Sequence, residues 1–424
     1  MPLSSAKFNG LGESRSPLKD RAFMRIFVVN CGSSSIKYQL FDMADESVLA
    51  RGLLERLGSD SPLLRHSGRG VSHETQVAAP NHSEGLRIIL QTLTDPHVGV
   101  LGSIDEIDGV GHRVVHGAEE ATGSTRIDQA LLNVIQKNAE LAPLHNPSNL
   151  AGIEAAMEAI PNVPHVAVFD TAFLATLPAK AYRYAVPTDW YAKYHVRKYG
   201  FHGTSHRYVT LRAAELLGKD TGKVNLITVH LGNGCSMTAV AGGKAIDHSM
   251  GMTPLEGLIM GTRSGDIDPA VAIHMISRGL RPGQVDEALN KASGLLGVSE
   301  LSNDMRDLLQ AAEKGDAKAQ LAIEMFVYRI VKYVGAYYAI VPALDAIVLT
   351  GGIGENAVSV RGRICQYLHR LGVVGDEQRN RQTIGGRTGP ITAEGAATSV
   401  WVIPTNEELM IARDTGRIVA GKPP

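Results

Sequence analysis

The sequence predicts an α/β protein built from two related halves, and three observations lead there. Residues 26–42, IFVVNCGSSSIKYQLFD, read as an apolar strand, a tight Gly-Ser turn and a returning strand that carries a lysine. A second hairpin of the same design, LITVHLGNGCSMTAV, spans residues 226–240. Strands, hairpins and crossover helices alternate along the rest of the chain, the pattern of the α/β class. One Gly-rich turn is weak evidence, because most such turns merely supply a positive φ. Two of one design suggest a duplication, and stacked N–H groups beside hydroxyls and an ammonium suit the terminal phosphates of a nucleotide.

The bulk properties bound the reading. A chain of 424 residues exceeds one ordinary core, so two domains of roughly 200 residues are expected. A formal net charge of −1 leaves no electrostatic footprint for nucleic acid or an acidic membrane surface. Any bound anion must therefore meet positive charge placed locally. Cys31, Cys235 and Cys365 form no CxxC pair, and two of them lie in hairpin turns, which points to a reducing, cytoplasmic setting. No apolar run approaches the ~20 residues of a membrane span. Residues 1–23 are polar and Ser/Gly/Pro-rich, lack the apolar segment of a signal peptide, and read as a disordered extension.

In chain order, Arg25 to about Leu57 predicts three strands, followed by an irregular glycine- and histidine-rich stretch to about Ser83 and a helix near Glu84–Leu93. IDGVGHRVVHG contains a short strand. HNPSNLAGIEAAMEAI opens a helix with Asn146 as cap and Pro147 in the first turn. HVAVFDTAF is a buried strand running into a loop. GDIDPAVAIHMISRG is a helix capped by Asp268, entered at Pro269 and stopped at Gly279, and a long helix runs from Asp316 to about Tyr338. DAIVLTGGIGENA reads as strand, glycine turn and helix. In VWVIPTNEELMIARDTG a strand precedes a helix for which Thr405 and Glu408 fit a capping box. That leaves Glu407 at a helix N-terminus with no structural task.

Several of these segments carry chemistry. Arg113 and Val115 are two apart on a strand and face one side. A guanidinium fork beside a valine suits a short carboxylic acid, although taken alone an ordinary ion pair is the simpler reading. His112 and His116 share the opposite face and make a poor metal pair on a strand. Asp170 ends the apolar run VAVF, where α/β proteins put functional groups. His202 sits between glycine-flanked turns and Arg263 in an exposed tip, and either alone reads equally as a structural turn residue. Together, in a chain with two phosphate-suited hairpins, they look like donors to a transferring phosphoryl group. Gly352, Gly354 and Ala357 match a loose GxGxxA pattern, but no βαβ unit follows, so a backbone-lined nucleotide contact fits better than a dinucleotide site. No Gly-Lys pair is followed by Ser or Thr, which excludes a P-loop.

In order along the chain, NCGSSSIK, GHRVVHG, LHNPSN, FDTAF, YGFHGTSH, HLGNGCS, MTPLEGLIMGTRSGDIDP, SNDMRD, TGGIGEN and PTNEE strongly resemble the acetate kinase family, over about residues 25–418. The resemblance implies the duplicated two-domain fold of acetate kinases, sugar kinases and actin-like ATPases, with nucleotide in the interdomain cleft. Residues 24–172 plus 405–424 would form the N-terminal lobe on the carboxylate and phosphate side, and residues 173–404 the C-terminal lobe on the nucleotide side. It implies reversible, direct in-line transfer from ATP to acetate, giving acetyl phosphate and ADP, with Mg²⁺ or Mn²⁺. A homodimer is implied too, with no nucleic-acid or membrane partner.

By the same resemblance, Asn30 and Glu407 correspond to the metal site, and Ser33, Ser35 and Lys37 to the nucleotide-phosphate segment. His230, Leu231, Gly232, Asn233, Gly234, Asp304, Met305, Arg306, Gly352, Ile353, Gly354, Glu355 and Asn356 match nucleotide-contacting segments. Arg113 is similar to the carboxylate-binding arginine, and Val115, Leu144, Phe201 and Pro254 to the acyl pocket. His202 and Arg263 match transition-state stabilisers, and Asp170 the active-site acid. Ser148, where a second proline is expected, and Leu174, where a histidine is usual, depart from the pattern without touching these positions. An actin-like ATPase module would share the hairpins but not the Arg–Val pair. A sugar kinase would need polar groups in place of Val115, Leu144, Phe201 and Pro254. An NAD enzyme would need a βαβ unit.

Overall fold

A computed structural model describes residues 24–142 and 145–423, so the N-terminal extension and Leu144 lie outside the described residues. The first sheet contains β1 (Arg25–Cys31), β2 (Ser35–Asp42), β3 (Ser47–Glu55), β4 (Leu63–Gly68), β5 (Val71–Gln76), β6 (Gly109–Val114), β7 (Thr125–Arg126) and β8 (His165–Phe169). The second contains β9 (Leu226–Leu231), β10 (Cys235–Ala241), β11 (Lys244–His248), β12 (Ala346–Thr350), β13 (Gly389–Pro390) and β14 (Val400–Val402). Their orders are β5-β4-β3-β2-β1-β6-β8-β7 and β11-β10-β9-β12-β14-β13.

The duplication is visible in these orders. The segment β3-β2-β1-β6-β8 repeats as β11-β10-β9-β12-β14: two antiparallel pairings, then two parallel ones. The parallel strands β8 (HVAVF) and β12 (AIVLT) are buried at every residue, as strands covered on both faces must be.

Two helices trade places between the halves. The helix Gly203–Leu216 follows the first sheet in sequence but packs Val209, Ala213 and Ala214 against Leu226, Val240, Ala346 and Val348 of the second. The helix Glu407–Val419 follows the second sheet and packs Leu409, Ile411, Ala412 and Val419 against Ile26, Val28, Val166 and Val168 of the first. It lies so close to β6 that a Cβ on Gly111 would sit 2.5 Å from Thr415 Oγ1. The two helices meet at buried Asp414, whose Oδ2 accepts from Arg207 Nη1 (2.6 Å) and Ser124 Oγ (2.5 Å). The other face of the second sheet is covered by the helix Ala317–Ile340, through the stripe Ile323, Phe326, Val327, Ile330 and Val334.

Three local expectations need correction. The stretch expected to be irregular up to Ser83 contains the β4–β5 hairpin, turned by Arg69 and Gly70 at φ 50° and 77°. Its polar appearance comes from an edge strand that is exposed or half-buried along its length, VSHETQ, and from His66, which is buried with Nδ1 2.7 Å from Tyr38 Oη. Asn146 does not cap its helix. His145 holds that position, and the Asn146 amide pairs with His116 backbone N–H (3.2 Å) and C=O (3.0 Å). The last helix is capped by Asn406, whose Oδ1 accepts from Leu409 N–H at 3.0 Å. The Thr405–Glu408 box is absent: Glu408 is drawn to Lys37 in an ion pair, and Thr405 Oγ1 is buried without a partner among the described residues.

Candidate active site

The carboxyl ends of β1, β6 and β8 gather three polar side chains. Parallel register sets Arg113 of β6 opposite Val168, so Asp170, just past β8, comes within reach. Arg113 donates Nε to Asp170 Oδ1 at 3.1 Å and Nη2 to Oδ2 at 2.5 Å, and its Nη1 lies 3.5 Å from Asn30 Oδ1. Asp170 is 1% exposed and the arginine side chain 24%, so the fork is held from behind and shows its Nη1 end outward. Burial alone would lower the Arg113 pKa, but the carboxylates of Asp170, Glu407 and Glu408 outweigh it and keep the pKa above its ordinary value.

Val115, two residues beyond Arg113, and Phe201, the neighbour of His202, are both buried. They share one cluster with Ala142. The Val115 N–H donates to Asn149 Oδ1 (3.1 Å), and Asn149 Nδ2 donates to the Cys31 carbonyl (2.8 Å), tying the ends of β6 and β1. Pro254 enters through its carbonyl, 3.3 Å from Arg263 Nη1.

At the first hairpin tip Gly32 N–H closes on the Ser35 carbonyl at 2.8 Å, with Ser33 exposed. Lys37 sits opposite Asn30 in the register and pairs with Glu408. Glu407, the first residue of its helix, makes no hydrogen bond or ion pair among the described residues. Desolvation pushes its carboxyl up to about 7, with Arg113 and Lys37 opposing and Asp170 and Glu408 adding to the rise.

The second tip flanks Asn233 with two glycines and closes with Gly232 N–H on the Gly234 carbonyl at 3.1 Å. A Cβ on Gly234 would lie 3.3 Å from His202 Cε1, 3.4 Å from His202 Nε2 and 3.4 Å from Arg263 Nη1, so ring and guanidinium converge there. His202 precedes its helix at φ 58°, ψ 24°, a conformation a non-glycine side chain disfavours and functional sites often hold. Its position is held by Gly203 N–H on the Asp170 carbonyl, 2.8 Å away. Desolvation, then His230, His206, Arg113 and Arg263, push the His202 pKa well below the ordinary imidazole value. Desolvation and Arg113 bring His230 down to about 4. Arg263 meets no carboxylate among the described residues, and desolvation lowers its pKa.

The remaining sequence-predicted positions divide by what their side chains do. Asn233 Oδ1 accepts from Asn303 Nδ2 at 2.9 Å, joining the second tip to the loop before Asp304. Asp304 caps the helix Met305–Glu313 and pairs with Arg306, which holds its carboxyl down at about 2. Leu231 and Met305 point into the core and offer only backbone. Ile353 packs on the same core, while Gly352 borders open space and Gly354 is buried. Glu355 turns back on its own helix start: Oε1 accepts from Gly351 N–H (2.9 Å) and Thr405 N–H (3.1 Å). Asn356 Nδ2 donates to the Gly352 carbonyl at 3.0 Å. Asn149, Ser236 and His206 were not singled out by sequence reasoning. One signal was available: His206 lies four residues after His202, one turn into the helix that His202 precedes.

The chain matches the family model described as the acetokinase family over residues 25–413. It is 52% identical over 398 residues to acetate kinase of Thermotoga maritima, covering 93% of this chain and 99% of that one. It is 53% identical over 397 residues to acetate kinase of Methanosarcina acetivorans, covering 93% and 97%. Among solved structures, the Porphyromonas gingivalis acetate kinase superposes with a TM-score of 0.89 at 45% identity, covering 93% of this chain and 100% of that one. A Francisella tularensis propionate kinase superposes with 0.87 at 40% identity, covering 93% and 99%. With its paired sheets and converging Arg113, His202 and Arg263, this chain belongs to the acetokinase family and is a kinase.

Proposed function

We propose that the chain catalyses reversible phosphoryl transfer from ATP to acetate, giving acetyl phosphate and ADP, with Mg²⁺ and by direct in-line displacement. The observation that carries this reading is the convergence of two cationic groups from different halves. Arg113, two residues from Val115, would take the carboxylate, while Arg263 and His202 meet over the Gly234 tip, and both guanidiniums lie near enough to His202 to depress its pKa. Residues 24–172 plus 405–424 and residues 173–404 would then be the two lobes, with the nucleotide between them.

The donor set suits a hard dication. Asn30 and Glu407 supply oxygens, and Glu407 is a desolvated carboxylate without a partner among the described residues. No three His, Cys, Asp or Glu side chains form a cage among the described residues. Mg²⁺, or Mn²⁺ in its place, would accordingly keep waters and take phosphate oxygens as ligands. Bound there, the metal would neutralise charge on the β- and γ-phosphates.

The protein's own groups do the rest. Arg113 and the apolar wall hold the acid, Lys37 and the Ser33–Ser35 turn meet the phosphates, and Arg263 and His202 donate to the charge that develops on the transferring group. A carboxylic acid of pKa roughly 4 to 5 is already ionised at neutral pH, so the nucleophile brings no proton to remove. Asp170, bidentate on Arg113, therefore orients the fork. Asp170→Asn should lower kcat with no steep recovery at high pH, whereas recovery like that of a base replaced by hydroxide would contradict the assignment.

A homodimer and a reducing cytoplasm belong to the same reading. The helix Ala317–Ile340 exposes Leu321, Met325, Tyr328 and Tyr338, and the helix Pro269–Ser277 exposes Val271, Ile273 and Ile276. Tyr333 Oη donates to Asp266 Oδ2 (2.7 Å) in the segment just ahead of the second helix, and exposed apolar residues of this kind suit a second copy. All three cysteines are free and buried, which supports a reducing compartment. Among the described residues no helix is long and apolar enough to cross a membrane.

The deciding experiment supplies ATP, Mg²⁺ and acetate and traps acyl phosphate with hydroxylamine. Hydroxamate is expected, and none with any short acid would overturn the proposal.

A further inference from the structure

Behind His202 runs a chain of hydrogen bonds that none of the site's other tasks uses. His202 Nδ1 lies 2.9 Å from Ser236 Oγ, Ser236 Oγ lies 2.8 Å from His206 Nε2, and His206 Nδ1 lies 2.7 Å from Thr228 Oγ1. Ser236, His206 and Thr228 are each 0% exposed, so water cannot complete the chain. Each hydroxyl has one proton and each neutral imidazole one N–H. Ser236 could accept from both rings only by leaving its own buried proton unpartnered, which is costly. The three bonds therefore run in one direction or the other.

In one direction His202 donates through Nδ1 and turns a bare Nε2 toward Gly234 and Arg263. Thr228 must then place its proton on the Thr238 carbonyl 3.4 Å away, well beyond the usual O–H···O length. In the other, Thr228 donates to His206, His206 to Ser236, and Ser236 to His202 Nδ1. His202 Nε2 then carries its hydrogen into the space over Gly234. A phosphoryl oxygen offers only lone pairs, so only the second setting can serve it.

We propose that Ser236 and His206 are positioning residues that, through Thr228, hold the proton of His202 on Nε2. This rests on the reading of His202 as a donor to the transferring group. The chain ends at Thr228 with no outlet to solvent, so it sets a tautomer and does not conduct protons. Desolvation, with the surrounding His230, His206, Arg113 and Arg263, favours a neutral ring, which leaves the tautomer as the deciding variable.

The test uses the full chain labelled with ¹⁵N-histidine, His202 being assigned by its loss in His202→Gln. Wild type should give the Nε2–H pattern for His202, and Ser236→Ala should replace it by a mixture of tautomers. In steady state Ser236→Ala should lower kcat about 10- to 100-fold with both KM values within about threefold. Introduced into a His202→Ala background, it should cost nothing further. Should Ser236→Ala fail to fold, His206→Gln, whose amide can still donate to Ser236, should retain about tenfold more kcat than His206→Leu. An Nδ1–H pattern in wild type, an equal kcat loss in both backgrounds, or equal losses for Gln and Leu would each overturn the relay. The tautomer pattern needs no turnover, so failure of the acyl-kinase reading and failure of the relay give different results.

Discussion

The β1–β2 and β9–β10 hairpins hold equivalent places in their sheets, each followed by two parallel strands, yet their tips are furnished in opposite ways. The first carries its own chemistry: Ser33 is exposed, and Lys37, paired with Glu408, belongs to the hairpin itself. The second has no charge of its own. Gly232 and Gly234 flank a neutral Asn233 that is held by Asn303, and the ring and cation beside Gly234 arrive from the residue before a helix and from a distant loop. A charge built into a hairpin moves with that hairpin. A charge delivered from elsewhere in the chain is only as well placed as the helices and loops behind it. Duplication has kept the path of the chain while the sources of charge diverged.

This contrast can be broken by mutation. Arg263→Ala should have the largest effect, lowering kcat about 10²- to 10³-fold with little change in either KM. A change confined to KM would move Arg263 from transition-state to ground-state binding. Gly234→Ala should follow, at about 10- to 30-fold in kcat, because its Cβ would crowd His202 and Arg263 at 3.3 to 3.4 Å. The matching Gly32→Ala meets only the swinging Ser35 Oγ at 3.2 Å and should be felt far less. Equal losses at the two glycines would erase the distinction between the tips. Lys37→Ala should raise KM for ATP about five- to tenfold and leave kcat closer to wild type, as expected for a half-exposed charge that binds before and during transfer. The smallest effect is pH-graded. The folded chain raises Glu407 from its ordinary 4.5 to about 7, so between those values it holds a proton the unfolded chain has lost. Stability without metal should therefore fall as pH rises through that window. Glu407→Gln should flatten that fall in denaturant titrations. An unchanged slope would place the titration on another group.

Much of this is legible in the sequence where the signal is local. The two hairpins, the largely apolar β8 and β12, and the Asp268 and Asp316 caps all declare themselves within a few residues. What stays hidden depends on partners far along the chain. Arg113 and Asp170 each stand out, but their pairing spans 57 positions and needs the β6–β8 register. His66 looks like a loop residue until Tyr38 is brought beside it. Asn146 has the right place to cap a helix, yet the His116 backbone offers it two hydrogen bonds and takes it. Glu355 lies in a glycine-rich motif and reads as a ligand contact, and nothing local announces that its Oε1 also accepts from the N–H groups of Gly351 and Thr405, the latter 50 positions away.

The contact between Arg207 and Asp414 ties the two exchanged helices together. At 1.5 Å per residue it lies about 7 Å along one helix from His202 and about 10 Å along the other from Glu407. Swinging one helix about that point by roughly 10° would sweep its working end through ~1–2 Å. The spacing between the His202 ring and the Glu407 carboxylate would then change with the angle between the two helices, a small turn at the Arg207–Asp414 contact becoming travel at their far ends.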